Sequence, residues 1–246
     1  MIDSLESLRD SLTTMLAPGV EPPLFDTAFM LGELLQGGDV WPLARTRLLE
    51  LEALALSRCA SCATDEARAE AIIELLRDEG FRGNSDDYEQ VDNSFMDRVL
   101  ERGCGLPITL CVLAMHLANG AGCPLLGISF PGHFLVGVDL QSPSPIVFDP
   151  FREGQRLSLE ELATRYRDAT GKAMTSSAPL LRQCLQAAPN RAILSRMLRN
   201  LQRHYAQRGA QDRVVEVVGL LALLHPEIEG LRALQGKLHH RLLELN

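Results

Sequence analysis

Hydrophobic residues in the first part of the chain recur at helical spacing. Leu5, Leu8 and Leu12 repeat every three to four positions, and Ala17-Pro18-Gly19 follows the repeat. This pattern predicts a helix that ends before the proline–glycine pair. Further helices are predicted over residues 27–35 and 43–56, and from Asp65 to a stop at Gly80.

The next segment predicts two helices of different character. Asn93 is placed to cap a short helix that carries Phe95. Pro107 lies at the start of a second helix, where its missing N–H has no helical partner to lose. Residues 106–118 are apolar on nearly every side of that second helix. It is therefore expected to run, buried, through the centre of the domain.

Short apolar runs then alternate with turn residues. Residues 125–130, 134–140 and 146–148 read as strands, separated by Pro131-Gly132 and by a serine–proline-rich turn. Ser158 precedes two glutamates and predicts the start of another helix. A buried helix followed by antiparallel strands is an α+β layout.

The last region is helical again and carries one repeat-like unit. Asn200-Leu201, Tyr205, Gly209 and Pro226 stand at the offsets of one tetratricopeptide unit, a helix–turn–helix of about 34 residues. A single unit cannot bury both faces, so it should pack on the preceding domain or on a partner. Three regions are expected: N-terminal helices (1–80), an α+β core (81–175) and tetratricopeptide-like helices (176–246).

Charge is distributed unevenly along the chain. The formal net charge is −8, yet residues 182–246 hold ten Lys/Arg against five Asp/Glu. The overall balance argues against general nucleic-acid or anionic-membrane binding. Arg196, Arg199 and Arg203 fall on one helical face. That face is either solvated, docked on the acidic N-terminal part, or used for an anionic partner.

The cysteines and the N-terminus bear on location and cofactors. Six cysteines are scattered without a pairing pattern, and the first residues lack the features of a signal peptide. No apolar run approaches a membrane span. A cytoplasmic protein with reduced thiols is expected. Cys59 and Cys62 form one Cys-x-x-Cys without a second pair, so neither a metal nor another cofactor is predicted.

Several segments between residues 80 and 151 together carry a family resemblance. They are Gly80-Phe81-Arg82-Gly83-Asn84, Tyr88, Asn93-Ser94-Phe95-Met96-Asp97-Arg98-Val99-Leu100, Gly105-Leu106-Pro107-Ile108-Thr109, Phe130-Pro131-Gly132-His133-Phe134-Leu135 and Phe148-Asp149-Pro150-Phe151. In this order they resemble the transglutaminase-like superfamily, and more closely its bacterial SirB-type family. The resemblance implies a papain-like α+β core, with a central buried helix and a small antiparallel sheet. N-terminal helices and C-terminal tetratricopeptide-like helices would flank that core.

The resemblance also implies where a catalytic site would lie. Active members place a cysteine at the start of the central helix, a histidine on the following strands and an aspartate one strand later. The histidine takes the thiol proton, the aspartate orients the imidazole, and the helix N-terminus favours the thiolate. His133 and Asp149 match the histidine and the aspartate.

The position of the nucleophile is occupied by proline. In the family's active pattern, Gly-x-Cys opens the helix and a glycine follows the cysteine by fifteen positions. Gly105-Leu106-Pro107 fits that opening, and Gly122 lies fifteen residues after Pro107. Proline supplies no nucleophile, so the usual triad is absent.

Two other cysteines lie near this position. Cys104 precedes the helix, and a shifted loop would bring its sulfur towards His133. Cys111 lies about one turn into the buried helix and is expected to be an inert apolar filler.

Two functions follow from these residues. In the first, the chain is non-catalytic and binds a protein or peptide partner through the cleft or the C-terminal helices. The His–Asp pair is then either structural or part of the binding cleft. By analogy Asn84, Asn93, Pro107 and Thr109 are binding residues, although asparagines there also suit turns and helix starts. In the second, the chain is a thiol-dependent amide hydrolase or acyltransferase that uses Cys104 with His133 and Asp149.

Overall fold

The computed structural model of the chain describes residues 2–38 and 41–245. Its N-terminal part is helical, as the hydrophobic repeat predicts. The Thr64 side chain caps the fourth helix by accepting a hydrogen bond from the Ala67 N–H, and that helix ends at Asp78. Gly80 follows in the left-handed conformation with φ 82°, which is the predicted stop. The helices are α1 (Ile2–Met15), α2 (Leu24–Gln36), α3 (Trp41–Cys59) and α4 (Asp65–Asp78).

Two helices form the middle of the core, α5 (Met96–Arg102) and α6 (Pro107–Gly120). Pro107 is the first residue of α6, and residues 107–115 of that helix are all buried, which confirms the predicted central helix. The predicted cap at Asn93 is wrong. Phe95 precedes α5 without a side-chain cap, and Asn93 lies in a short 3₁₀ turn, Val91–Ser94.

The strands form two small sheets. A parallel pair joins β1 (Arg82–Gly83) to β2 (Cys104–Gly105). The larger sheet is antiparallel in the order β3, β4, β5, β6. It contains β3 (Leu126–Ile128), β4 (Leu135–Val138), β5 (Ile146–Asp149) and β6 (Gln155–Leu157). The three predicted strands are confirmed: β3 and β4 are shorter than predicted, and β5 is one residue longer because it includes Asp149. Strands β1, β2 and β6 are not evident in the sequence, because β1 and β2 have only two residues each and β6 is mostly polar.

The rest of the chain is helical and packs back on the N-terminal helices. Ser158 and Glu161 form a reciprocal capping box at the predicted helix start. Arg191 donates to the carbonyl oxygens of Leu16, Ala17 and Val20 in the loop that follows the first helix. The helices are α7 (Leu159–Thr170), α8 (Pro179–Cys184), α9 (Asn190–Gln207), α10 (Gln211–Leu224) and α11 (Glu229–Leu245).

One large hydrophobic cluster connects all three predicted regions. Leu12 and Phe29 from the N-terminal helices, Leu113 from α6, and Leu198 and Leu221 from α9 and α10 belong to it. A second cluster fills the space between the larger sheet and α7 and α8. The C-terminal helices are thus packed against the rest of the chain. No helix in the described ranges is both long and apolar enough to cross a membrane.

Candidate functional site

His133 and Asp149 form a hydrogen-bonded pair at one end of the larger sheet. His133 precedes β4 after a turn in which Gly132 has φ 72°, and Asp149 ends β5. Nε2 of His133 lies 2.9 Å from Oδ1 of Asp149. The carboxylate is fully buried, whereas 19% of the histidine side chain is exposed. A neutral imidazole that donates from Nε2 keeps Nδ1 as its acceptor.

Arg165 binds the other oxygen of the same carboxylate. Its Nη1 donates to Oδ2 of Asp149 at 2.5 Å, and its Nη2 donates to Gln155 on β6. Burial alone would raise the pKa of Asp149, but the hydrogen bonds and charges of His133 and Arg165 lower it overall. Asp149 is therefore an anion held from both sides. Arg165 cannot be identified as a site residue from the sequence, because nothing in the local pattern of α7 shows which side chain reaches β5.

Pro107 and His133 line the same cavity. We call this cavity, which has a volume of about 330 Å³, the cleft. Pro107 begins α6 on one side of it, and His133 lies on another. The position matched to the family's cysteine thus shares a cavity with the position matched to its histidine. The cleft residues are Tyr88, Glu89, Pro107, Ile108, Gly132, His133, Phe134, Arg196, Asn200 and Arg203.

The two candidate cysteines lie elsewhere. Cys104 is partly exposed in β2, where it pairs with Arg82, and it is not one of the cleft residues. Cys111 is fully buried, and its thiol donates to the carbonyl of Phe134 at 3.5 Å. Burial raises the pKa of Cys111 well above that of an ordinary thiol. Its predicted burial is confirmed.

Three of the four predicted binding residues bond to one another or to nearby backbone. Asn84 donates to Oδ1 of Asn93 at 3.0 Å, and Asn93 donates to the carbonyl of Asp87 at 2.8 Å. The hydroxyl of Thr109 donates to the carbonyl of Asn93 at 2.9 Å. These bonds fasten the loop before α5 to the start of α6. Of the four, only Pro107 is a cleft residue, so a binding role for the other three stays a prediction.

Helix α9 contributes polar residues to the cleft that the sequence did not place there. Arg196 donates to Oγ of Ser129 and to the carbonyl of His133, both at 2.8 Å. Its guanidinium also lies 5.5 Å from the centre of the Phe134 ring. The helical spacing of Arg196 and Arg203 had marked them as neighbours. What they face depends on how α9 packs, which the spacing does not show.

An aromatic group supports the histidine from the side. The Phe151 ring meets His133 edge-on at 5.9 Å and Tyr88 edge-on at 6.0 Å. Gly83 of β1 lies directly beneath Phe151, where an added Cβ would come within 2.5 Å of its ring and of its carbonyl oxygen. Two of the motif segments, around Gly83 and around Phe151, therefore meet under the cleft.

The arrangement orients an imidazole and offers donors, but its helix start carries no nucleophile. Within the described ranges, no group of histidine, cysteine or acidic residues is arranged to hold a metal ion. All six cysteines are free thiols. The cleft can therefore bind and orient a ligand, but Pro107 has no group that could form a covalent bond to it.

Comparison with known proteins gives bacterial and animal relatives. A UPF0162 protein of Xylella fastidiosa (strain 9a5c) is 40% identical over 159 residues, 64% of this chain and 56% of that protein. A UPF0162 protein of Vibrio cholerae is 36% identical over 135 residues, 54% of this chain and 48% of that protein. F-box only protein 21 of Mus musculus is 35% identical over 100 residues, 37% of this chain and 16% of that protein.

These matches are partial, and the family match is broader. The chain spans about half the length of the UPF0162 relatives it matches. No solved structure matches it. The family model described as transglutaminase-like superfamily matches residues 44–199. That range contains most of α3, all of α4 to α8 and the first half of α9, so it is wider than the motif segments suggested. The predicted resemblance is confirmed at this level: the chain belongs to the transglutaminase-like superfamily.

Proposed function

We propose that this chain is a non-catalytic transglutaminase-like protein whose cleft binds an extended segment of a protein or peptide. One observation carries the proposal: Pro107 lines the same cavity as His133. In the thiol mechanism, the residue at the position of Pro107 must supply a nucleophile within reach of the imidazole. A proline ring has neither a nucleophilic atom nor an N–H. The cavity is retained while the attacking group is missing.

The alternative enzyme based on Cys104 receives less support. Cys104 is held in register with Arg82 by the β1–β2 pairing, and it is not a cleft residue. A thiol must first lie within hydrogen-bond reach of its base before its pKa matters. Moving Cys104 towards His133 would require the β1–β2 pair to break.

The His133–Asp149 pair then has a positioning role. Asp149 is fully buried, and each of its two carboxylate oxygens has a hydrogen-bond partner. It holds the imidazole in one orientation at the cleft wall. The Phe151 ring packs edge-on against His133 on the same wall of the cleft.

We propose further that α9 to α11 form a tetratricopeptide-like unit that is part of the binding surface. Supporting this, α9 and α10 are joined by a short turn in which Gly209 has φ 70°, and they pack against each other. Helix α9 supplies Arg196, Asn200 and Arg203 to the cleft. Core and tail would then bind one partner together.

A cleft-blocking variant tests the binding proposal. Random hexapeptides displayed on beads are selected on the wild-type chain and re-measured on Asn200→Trp, which fills the cleft from α9. Gln207→Trp places the same bulk on an exposed position of the same helix and is the matched control. Peptides that bind the wild type and Gln207→Trp but not Asn200→Trp support the proposal. No selected peptide, or equal loss in both variants, would overturn it.

A thiol-reactivity measurement tests the alternative. Iodoacetamide labelling is mapped by mass spectrometry for each cysteine in the wild type and in His133→Asn. Under the proposed function, labelling of Cys104 does not depend on His133. Rapid labelling of Cys104 that slows at least about tenfold in His133→Asn would favour the thiol enzyme instead.

A further inference from the structure

Two arginines of α9 face the cleft, and a third on the same helix does not. Arg196 and Arg203 are both cleft residues, seven positions apart and thus on one side of the helix. Arg199, between them, is exposed and is not a cleft residue. The arginine-rich face therefore divides into a part turned to the cleft and a part turned to solvent.

Among the residues that the structure describes, no carboxylate forms an ion pair with Arg196. Burial lowers its pKa, Arg203 lowers it further by like charge, and Tyr88 and Cys111 act in the opposite direction. An arginine nevertheless remains protonated in proteins. Its guanidinium donates to a serine hydroxyl and to a main-chain carbonyl, both uncharged. A partly buried cation is thus held in place by neutral acceptors.

Arg203 is more loosely held than Arg196. It is exposed, and its Nη2 donates to Oδ1 of Asn200 at 3.2 Å. Burial raises the pKa of Tyr88, which keeps its phenol neutral and able to donate. The cleft thus offers one partly buried guanidinium, one exposed guanidinium and one phenol.

The charge of the cleft is opposite in sign to that of the whole chain. Its charged lining consists of Arg196 and Arg203 against Glu89. The chain as a whole has a formal net charge of −8. Two like charges in one small cavity repel each other, and an anion placed between them removes that repulsion.

A surplus of one positive charge matches a single negative charge. A carboxylate meets this balance and accepts hydrogen bonds from guanidinium groups in their preferred planar geometry. A doubly charged phosphate would leave the cleft with an excess of negative charge beside Glu89. We propose that the cleft recognises a carboxylate of the bound segment through Arg196 and Arg203. This inference rests on the proposed function, since it names the chemistry of the occupant of the same cleft.

Matched peptide pools test the inference and identify the source of the carboxylate. The pools are fluorescent, N-acetylated random hexapeptides without other acidic residues. The first carries one internal glutamate and a C-terminal amide, the second has glutamine in its place, and the third has a free C-terminal carboxylate. A fourth carries phosphoserine. Binding is measured by fluorescence polarisation to the wild type, Arg203→Gln and the control Arg199→Gln, with circular dichroism to verify the fold.

The expected result is a preference for one carboxylate pool that depends on Arg203. The first or third pool should bind at least about tenfold more tightly than the second, with the preference lost in Arg203→Gln and kept in Arg199→Gln. Added salt should weaken that preference. A preference for the first pool identifies a side-chain carboxylate, and a preference for the third a chain terminus.

Other outcomes overturn the inference in distinguishable ways. If all pools bind the wild type equally and this binding is lost in Asn200→Trp, the proposed function is supported but carboxylate recognition is contradicted. Carboxylate recognition is also contradicted if the phosphoserine pool binds most tightly, or if Arg203→Gln and Arg199→Gln have equal effects on binding. If no pool binds the wild type, the proposed function fails together with the inference.

Discussion

Arg165 and His133 bind opposite oxygens of one fully buried carboxylate, that of Asp149. The two partners come from different parts of the fold, since His133 precedes β4 and Arg165 lies on α7. The bond from Arg165 ties a helix outside the motif segments to the strand that ends in Asp149. The orientation of the histidine therefore depends on a residue that the triad pattern does not include.

Removing Arg165 should destabilise the fold measurably. Arg165→Met leaves Oδ2 of Asp149 buried without its cationic partner, whereas the methionine keeps the unbranched apolar part of the side chain. We expect a loss of about 3 kcal/mol in the free energy of unfolding, the lower end for a broken buried pair. The lower end of the range applies because 21% of the Arg165 side-chain surface is exposed to solvent. Urea denaturation measures it. Arg167→Met, an exposed position on the same helix, should change stability by under about 0.5 kcal/mol.

Asp149 should also make stability depend on acid pH. Its pKa in the folded chain is lowered from the ordinary value of 3.8. A lowered folded pKa means that its contribution to stability is complete above the unfolded value and disappears as the pH falls through the folded value. Asp149→Asn should therefore be less stable than the wild type near neutral pH, and the gap should narrow below about pH 4.

The measurement compares urea denaturation of the wild type and Asp149→Asn between about pH 7 and about pH 3. Asp168→Asn, which changes an exposed carboxylate on α7, is the control. A gap that stays constant, or one that narrows equally in both variants, would contradict the role assigned to Asp149.

Gly83 should not tolerate a side chain. In Gly83→Ala the new Cβ would come within 2.5 Å of both the ring and the carbonyl oxygen of Phe151. The ring could rotate away, but the carbonyl belongs to the backbone turn that follows Asp149. We expect a loss of about 2 kcal/mol in the free energy of unfolding, as for other overpacked sites.

Gly120→Ala is the matched control for this substitution. Gly120 ends α6, and nothing lies within 4 Å of an added Cβ there. Its stability should stay within about 0.5 kcal/mol of the wild type. Equal stability of Gly83→Ala and the wild type would mean that the turn carrying Phe151 is free to move, which would weaken the account of the cleft wall.

The central helix and the His–Asp pair could be predicted from sequence, and their neighbours could not. Pro107 and the apolar run after it identify a buried helix, because helix starts and burial leave local patterns. His133 and Asp149 follow from a family motif. Arg165 and Arg196 reach the site only through the packing of α7 and α9, and packing across a fold leaves no fixed spacing in the chain. The cap at Asn93 fails for a similar reason: its side chain donates to the carbonyl of Asp87 and accepts from the Arg102 side chain, but it accepts no backbone N–H at the start of α5.

Replacing Pro107 by cysteine should create a reactive thiol, if Pro107 occupies the nucleophile position. The new sulfur would lie at the first residue of α6 and on the cleft shared with His133, where the helix N-terminus and the imidazole both favour the thiolate. Iodoacetamide labelling of residue 107, mapped by mass spectrometry, should be at least about tenfold faster in Pro107→Cys than in Pro107→Cys with His133→Asn. Pro179→Cys supplies the matched control, since Pro179 is also the first residue of its helix but is not a cleft residue. Its labelling should not respond to His133→Asn. If the two new cysteines respond alike, Pro107 does not stand where the family's cysteine stands, and the main support for a non-catalytic cleft is removed.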